Sequence, residues 1–348
     1  MDPTMSQVVK RVMAHYPVEI KQIYLLSFKG KKAVWSVDTD QGELIVKKVP
    51  FAPKDIGFMI HAIDYLRERG VHTPAVWKTT NDQGFVTVDG EHFVVFEAVR
   101  GRSPEYKIEG ELRLIMRGMA AFHQASRGIE SPTGEFPSML LNEWEKDMTV
   151  RLGRLETWKA EVTHRGPQGE FDRLFLDHVD VFLSDGRKAI ALLAASGFER
   201  WLEQTRAAKT LCHQDFAAGN LAIGDDGLLY VYDMDSLTVD VPIRDLRKIL
   251  NKVMKKDCAW SLERMLFMLR SYQEVHALTD NHYRSLTADL LFPHLFYGQV
   301  SKYYERREPN WTERKHIERL NEMIATEHSK RDVLEAFLNR LGEVVGHG

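Results

Sequence analysis

His213, Asp215 and Asn220 stand in a His-x-Asp-x-x-x-x-Asn string, and two further carboxylates, Asp233 and Asp235, follow after a short apolar stretch. These residue types at this spacing suit phosphoryl transfer. In that chemistry an Asp accepts the proton of an attacking hydroxyl, an Asn amide holds a metal ion, and a second Asp holds metal as well. Asp215 is the candidate base and Asn220 and Asp233 the candidate metal ligands, with His213 and Asp235 in supporting places. Cys212 lies next to His213, but adjacency in sequence does not bring two side chains into contact. A small buried residue at the end of a strand is the simpler reading of that cysteine.

The local pattern predicts how the metal ligands are held. Residues 221–223 and 228–232 are short apolar runs separated by Gly224-Asp225-Asp226-Gly227, which is a hairpin signal. If Ile223 pairs with Leu228, Asn220 lies opposite Val231; if the turn is only Asp226-Gly227, Asn220 lies opposite Asp233. Both registers have the same parity, so strand alternation sends Asn220 and Asp233 to one side as hard oxygen ligands. A magnesium ion bridging ATP phosphates needs such a pair.

Phosphate binding also needs a cation from a sheet, and the third strand is its usual source. The pattern predicts a helix over 6–15 and a meander over 23–28, 33–39 and 43–49, in which Leu44-Ile45-Val46 leads into Lys47 and Lys48. Alternation lets only one of the two face a ligand, and Lys47 is the first choice. The loop Ser27-Phe28-Lys29-Gly30-Lys31-Lys32 has one glycine where protein kinases use three, so lysine charge would have to stand in for backbone N–H groups. A helix over 55–69 carries Ile56, Met59, Ile60, Ile63 and Leu66 at helical spacing and stops at Gly70. Kinases tether the strand lysine to a Glu of this helix; its acidic candidates here are Asp64 and Glu68, both late, with His61 mid-helix. Two more strands, 84–88 and 92–99, complete a small sheet lobe, and Glu97 and Ala98 are the expected adenine contacts through their backbone.

Arg100-Gly101-Arg102-Ser103-Pro104 breaks the pattern, which puts the domain boundary near residue 100. An N-terminal nucleotide-binding lobe of 1–100 and a C-terminal helical lobe of 101–348 are expected. Helices are predicted over 109–126, 144–163 and 171–193, and the tail reads as 312–327 and 329–341, with Ser329 and Asp332 at capping-box spacing. His123 falls on an apolar helix stripe and reads as a hydrogen-bonded core residue. Past Asp240 the chain enters a helix with an apolar stripe from Leu246 to Met254, where Asp245 is placed to anchor the catalytic loop. Its cations Arg244, Arg247, Lys248, Lys252, Lys255 and Lys256 read as a solvated basic face.

The 348 residues carry a formal charge of -3 and 44% hydrophobic content, which suits a folded chain and gives no global basic bias toward nucleic acid. Two cysteines exclude a disulfide framework and lean toward a reducing compartment. Residues 1–17 lack the apolar core of a signal peptide, and the longest apolar run, 189–195, falls far short of the ~20 residues that cross a bilayer. Neither a membrane nor a nucleic acid is an expected partner.

The chain resembles the aminoglycoside phosphotransferase and choline kinase superfamily, and within it is similar to the bacterial spore coat CotS family of kinase-like proteins. The resemblance rests on the segment from Leu211 to Asn220, on Tyr232-Asp233-Met234-Asp235, on Val241-Pro242-Ile243-Arg244-Asp245-Leu246-Arg247-Lys248, on Phe93-Val94-Val95-Phe96-Glu97 through Gly101-Arg102, and on the aromatic-rich Phe292-Pro293-His294-Leu295-Phe296-Tyr297. Gln214 stands where aminoglycoside kinases usually have Gly. The resemblance implies an α+β, protein-kinase-like two-lobed fold, with a small antiparallel sheet lobe bearing one helix and a larger helical lobe. It also implies residence in the mother-cell cytoplasm and then the spore coat, with other coat proteins as partners. The expected activity is ATP- and Mg2+-dependent phosphate transfer to a hydroxyl acceptor; the alternative is a catalytically silent coat scaffold on the same fold.

Overall fold

The structure, a computed structural model, describes residues 3–346. The chain divides into two compact units: one runs to Glu105 and adds Ala125–Ser138 and Ala218–Leu237, the other comprises Tyr106–Gln124, Met139–Ala217 and the chain from Thr238 on. The sheet unit begins with helix α1 (Pro3–Met13), followed by strands β1 (Ile20–Lys29), β2 (Lys32–Thr39) and β3 (Gly42–Val49), helix α2 (Pro53–Arg67), and strands β4 (Val86–Val88) and β5 (Glu91–Glu97). The strands form one antiparallel sheet in the order β1-β2-β3-β5-β4.

Alternation along these strands makes two different faces. Ala33, Trp35 and Val37 of β2, Leu44 and Val46 of β3, and Phe93 and Val95 of β5 are buried with Val9, Val12 and Met13 of α1 in one core. The residues between them, Val34, Ile45 and Lys47, line a cavity on the opposite face. Lys48 follows the first parity and pairs with Glu91. Helix α2 opens with Pro53, whose missing N–H costs nothing at a first turn, and buries the predicted stripe of Ile56, Met59, Ile60, Ile63 and Leu66 along with Phe58.

The sheet unit also contains the hairpin expected from the motif, in a register between the two considered. Leu221 pairs with Val231, Ala222 with Tyr230 and Ile223 with Leu229. The turn closes with Gly227 at φ 79° and the Gly224 N–H donating to the Leu228 carbonyl, a three-residue loop with a left-handed glycine. The Tyr232 N–H donates to the Asn220 carbonyl at 2.8 Å, so Asn220 faces Tyr232 rather than Val231 or Asp233. A one-residue shift reverses faces, and strand alternation therefore does not bring Asn220 and Asp233 together. The 102 region, read as a pattern break, instead supplies the short strand Gly101–Arg102 that pairs with this hairpin through Gly224 and Ile223.

The second unit is mainly helical. Helices Glu109–Ser126, Trp144–Arg165 and Glu170–Ala195 match the predicted ones with extended ends. Helices Phe198–Ala208, Leu262–Gln273, Asp280–Leu291 and His294–Tyr304 lacked a sequence prediction. The tail is one helix, Glu313–Asn339, rather than two: Ser329 does not cap but donates to the Thr326 carbonyl and accepts from the Trp260 N–H. Phe171, Phe175, Phe182 and Phe296 are fully buried among these helices. Among the described residues no helix is long and apolar enough to cross a membrane.

The tightest backbone approach in the sheet unit is at Gly101, where a Cβ would stand 2.3 Å from the Ile223 carbonyl oxygen and 2.9 Å from the Gly224 Cα. Both neighbours are backbone, so no rotamer change relieves the clash. Gly101→Ala is expected to destabilise by about 1–3 kcal/mol, read as a lower urea midpoint at an unchanged m-value.

Candidate functional site

The open face of the sheet bounds a cavity of about 670 Å³ within the sheet unit. Its polar lining includes Lys29, Lys32, Lys47, Asn220, Asp233 and Asp235, and its apolar lining includes Val34, Ile45, Met59, Ile63, Phe96 and Met234. Asn220 and Asp233 share this cavity because both leave strand geometry. Asn220 ends a 3-10 turn (Ala218–Asn220), and Asp233 adopts left-handed backbone at φ 59° and ψ 61°, directly before the 3-10 turn Met234–Ser236. Left-handed backbone in a non-glycine residue costs ~1–2 kcal/mol, and Asp is among the residues that tolerate it.

Lys47 is the centre of the charge arrangement. Its ammonium donates to Asp235 Oδ1 at 2.7 Å and also to Asp233 Oδ1, while Lys32 donates to Asp235 Oδ2 at 2.8 Å. The Asp235 side chain is 2% exposed and that of Asp233 41%. Burial pushes the Asp233 carboxyl up, but the Lys47 ammonium outweighs it and holds Asp233 below the usual carboxylate range. Burial likewise works against the Lys32 charge and Asp235 outweighs it, raising that ammonium. The two late acids do not take part: Asp64 of α2 pairs with Lys78 at 3.5 Å, and Glu68, just past the end of the helix, with Arg69 at 3.7 Å. His61 packs against the Tyr65 ring.

Glu97 and Ala98 line the same cavity. Their N–H groups are spent within the unit, Glu97 donating to the Ala75 carbonyl at 3.0 Å and Ala98 to that of Glu43 at 3.3 Å. The Glu97 carboxylate accepts from the Ala75 N–H at 2.8 Å and from Arg67 at 3.1 Å. The lysine-rich loop is a two-residue turn, Gly30-Lys31, with Lys29 opposite Lys32 and Gly30 at φ 57°. Its single glycine serves the tight turn. Lys29 and Lys32 line the cavity, and Lys31 is absent from the lining.

Asp215 belongs to the helical unit, and the groups that hold its loop are there as well. Asp245, wholly buried, accepts from the His213 N–H at 2.7 Å, the Gln214 N–H at 2.8 Å and His123 Nε2 at 3.1 Å. Burial pushes the Asp245 carboxyl up, and the His123 hydrogen bond and charge, with the loop amides, bring it below its ordinary value. His123 Nδ1 in turn meets the Tyr272 hydroxyl at 2.8 Å. The buried His213 ring lies edge-on to Phe122 and Phe216, and the Asp215 N–H donates to its Nδ1 at 3.3 Å. Gln214 takes the left-handed conformation, φ 74°, that a glycine adopts without a Cβ penalty.

Two lysines of the helix Ile243–Met254 stabilise that loop. Lys248 donates to both the carbonyl and the side-chain oxygen of Gln214, and Lys252 bonds Asp215 Oδ1 at 3.1 Å. Burial lowers the Lys248 ammonium. The helix is therefore not a solvated basic face: Arg244 pairs with Asp240 and Arg247 with Asp289, both arginines largely buried. Sequence reasoning missed Lys248 and Lys252, whose four-residue spacing after Arg244 puts all three on one side of the helix. His123, Cys212 and Asp245 lie within 4.8 Å of one another. The Cys212 thiol, however, is buried against the Asp240 and Val241 carbonyls and pushed far above its usual range by burial.

Comparison with known proteins places these units in a lineage. The family described as "Spore coat putative kinase YutH" matches residues 10–337. Spore coat protein S of Bacillus subtilis (strain 168) is 30% identical over 339 residues, covering 97% of this chain and 95% of that protein. Among solved structures, an aminoglycoside phosphotransferase from Alicyclobacillus acidocaldarius subsp. acidocaldarius DSM 446 is similar with a TM-score of 0.80 at 18% identity, over 97% of this chain and 96% of that one. The amicoumacin kinase hAmiN, solved with AMP-PNP, Ca2+ and Ami, is similar with a TM-score of 0.60 at 17% identity, over 97% and 94%. The solved structures establish a kinase-like fold, and the family match across nearly the whole length makes this chain a member of the spore coat YutH family.

Proposed function

We propose that this chain is an ATP- and magnesium-dependent phosphotransferase acting on a hydroxyl acceptor, and that it works in the mother cell and on the spore coat with other coat proteins. The observation that carries the reading is the donor set of one cavity: three ammonium groups, the Asn220 amide and the partly exposed Asp233 carboxylate beside an apolar lining. Hard oxygen ligands suit magnesium, cations suit phosphate oxygens, and Ile45, Met59, Ile63 and Phe96 suit the flat face of a base. Asn220 and Asp233 would hold the metal, and Lys47, with Lys32, would meet the phosphates. When bound, the ion neutralises charge developing on the transferred phosphoryl group.

Asp215 supplies the remaining step. Its carboxylate would take the proton of the acceptor hydroxyl as that oxygen forms its bond to the γ-phosphorus of ATP, while the bond from that phosphorus to the β,γ-bridging oxygen breaks and ADP leaves with the electron pair. Asp245 and Lys248 fix the loop so that this carboxylate keeps one direction. Lys252 neutralises it before an acceptor arrives. Glu97 and Ala98 would contribute to nucleotide binding as part of the cavity lining, with backbone carbonyls rather than their N–H groups.

A second reading, a catalytically silent coat scaffold, is favoured by the tight Gly30-Lys31 turn and by the spent N–H groups of Glu97 and Ala98. The name of the Bacillus subtilis relative is compatible with either reading.

Calorimetric titration of ADP or AMP-PNP is expected to show saturable binding that strengthens with magnesium, and Asp233→Asn is expected to lose the magnesium-dependent gain. Absence of nucleotide binding with and without magnesium refutes the enzymatic reading. Asp215→Asn is expected to cut phosphate transfer by about 10²- to 10⁴-fold while nucleotide affinity stays within error. In a sporulating strain, Asp215→Ala is expected to reproduce the coat defect of a deletion; normal coat assembly and spore resistance would favour the scaffold.

A further inference from the structure

Kinase lysines of the third strand are held in place by a carboxylate from the next helix, and here that helix does not supply one. Asp64 of α2 and Glu68 just past its end pair with Lys78 and Arg69. Lys47 nevertheless has a fixed place: its side chain is 15% exposed, and its ammonium stands 2.7 Å from Asp235 Oδ1. We infer that Asp235 is a positioning residue that aims Lys47 into the cavity, doing from the turn after the hairpin what a helix carboxylate does elsewhere. The inference rests on the phosphotransferase reading of the same cavity.

The two aspartates flanking Met234 divide the work. Asp235 is 2% exposed and both its oxygens are engaged, Oδ1 by Lys47 and Oδ2 by Lys32. Asp233 is 41% exposed and meets Lys47 through Oδ1. A buried carboxylate is tolerated only when paired, and two ammonium groups on one carboxylate pair it fully. Asp233 keeps the openness a ligand needs, while Asp235 is closed to one. If Asp233 turns to another partner, Lys47 keeps its second carboxylate and its direction. Lys32 begins β2 directly after the Gly30-Lys31 turn, so Asp235 also ties that turn to β3 through two lysines.

The 3-10 turn is what brings Asp235 there. Asp233 in left-handed backbone reverses the chain, and the turn that follows buries Met234 and packs against α2. A carboxylate from this turn reaches the sheet from the hairpin side, where the α2 acids point elsewhere. The pair is consequently invisible to a search for helix acids, since the residues are 188 apart in sequence.

The test is nucleotide affinity of the full-length chain, measured with ADP and magnesium by calorimetry, in a double-mutant cycle. Asp235→Asn is expected to weaken ADP binding by roughly 10- to 100-fold, the range for losing a charge-assisted hydrogen bond. Because Asp235 also meets Lys32, the cycle is closed in chains carrying Lys32→Met, where adding Lys47→Met is expected to abolish the effect of Asp235→Asn, because a positioning residue acts only through the group it positions. Thermal unfolding of each variant separates this from loss of fold. Should Asp235→Asn alone not fold, Lys32→Met/Lys47→Met chains with and without Asp235→Asn are compared: equal affinity supports the inference and a further loss overturns it. Wild-type affinity in a folded Asp235→Asn also overturns it, with the functional reading left standing. A wild-type chain that binds no ADP overturns both.

Discussion

Burial of the Asp245 carboxylate is the constraint on which the loop of His213, Gln214 and Asp215 depends. A carboxylate removed from water is costly unless donors surround it, and here two loop amides and a histidine do so. The requirement works in both directions. The loop amides of His213 and Gln214, turned inward, would themselves be unsatisfied without that acceptor. Satisfying both at once fixes where the loop leaves the helical unit and the direction in which Asp215 emerges. Asp235 repeats the device in the sheet unit, with two ammonium groups in place of amides. The sheet unit thus sets buried Asp235 beside the more exposed Asp233, and the helical unit sets buried Asp245 beneath the loop that carries the exposed Asp215.

Backbone strain marks the same places. Gln214 and Asp233 both occupy left-handed backbone that most side chains avoid. Such conformations persist only where surrounding contacts over-determine them. At Gln214 the contacts are visible: Lys248 bonds its carbonyl and side-chain oxygen, and Asp245 accepts its N–H. A glycine there would need no such support. A glutamine does, and the lysine one turn before Lys252 is the residue that supplies it. Position 214 and the helix Ile243–Met254 are therefore coupled in a way that neither shows alone.

The kinase-like fold and membership of the YutH family do not decide what the chain acts on. The cavity of the sheet unit is lined by lysines and carboxylates beside apolar side chains. Its glycine turn is tighter than a phosphate-cradling loop, its strand N–H groups are internally satisfied, and its lysine anchor has moved from helix to turn.

Much of the architecture was legible in the sequence, because it rests on local rules. Strand alternation separated Lys47 from Lys48, helical spacing marked the buried stripe of α2, and the motif spacing singled out Asp215, Asn220 and Asp233. The misreadings share one origin. The hairpin register was set by where Gly227 sits in its turn, which shifted pairing by one residue, and a single-residue slip cannot be seen in an apolar run. The tail helix continued through Ser329 because the Trp260 N–H, distant in sequence, took its hydroxyl. Composition and periodicity determined which elements form and which residues carry charge. Only the tertiary structure decided which charges meet, because Lys47 with Asp235 and Gln214 with Lys248 are contacts across long sequence separations, and no local pattern encodes them.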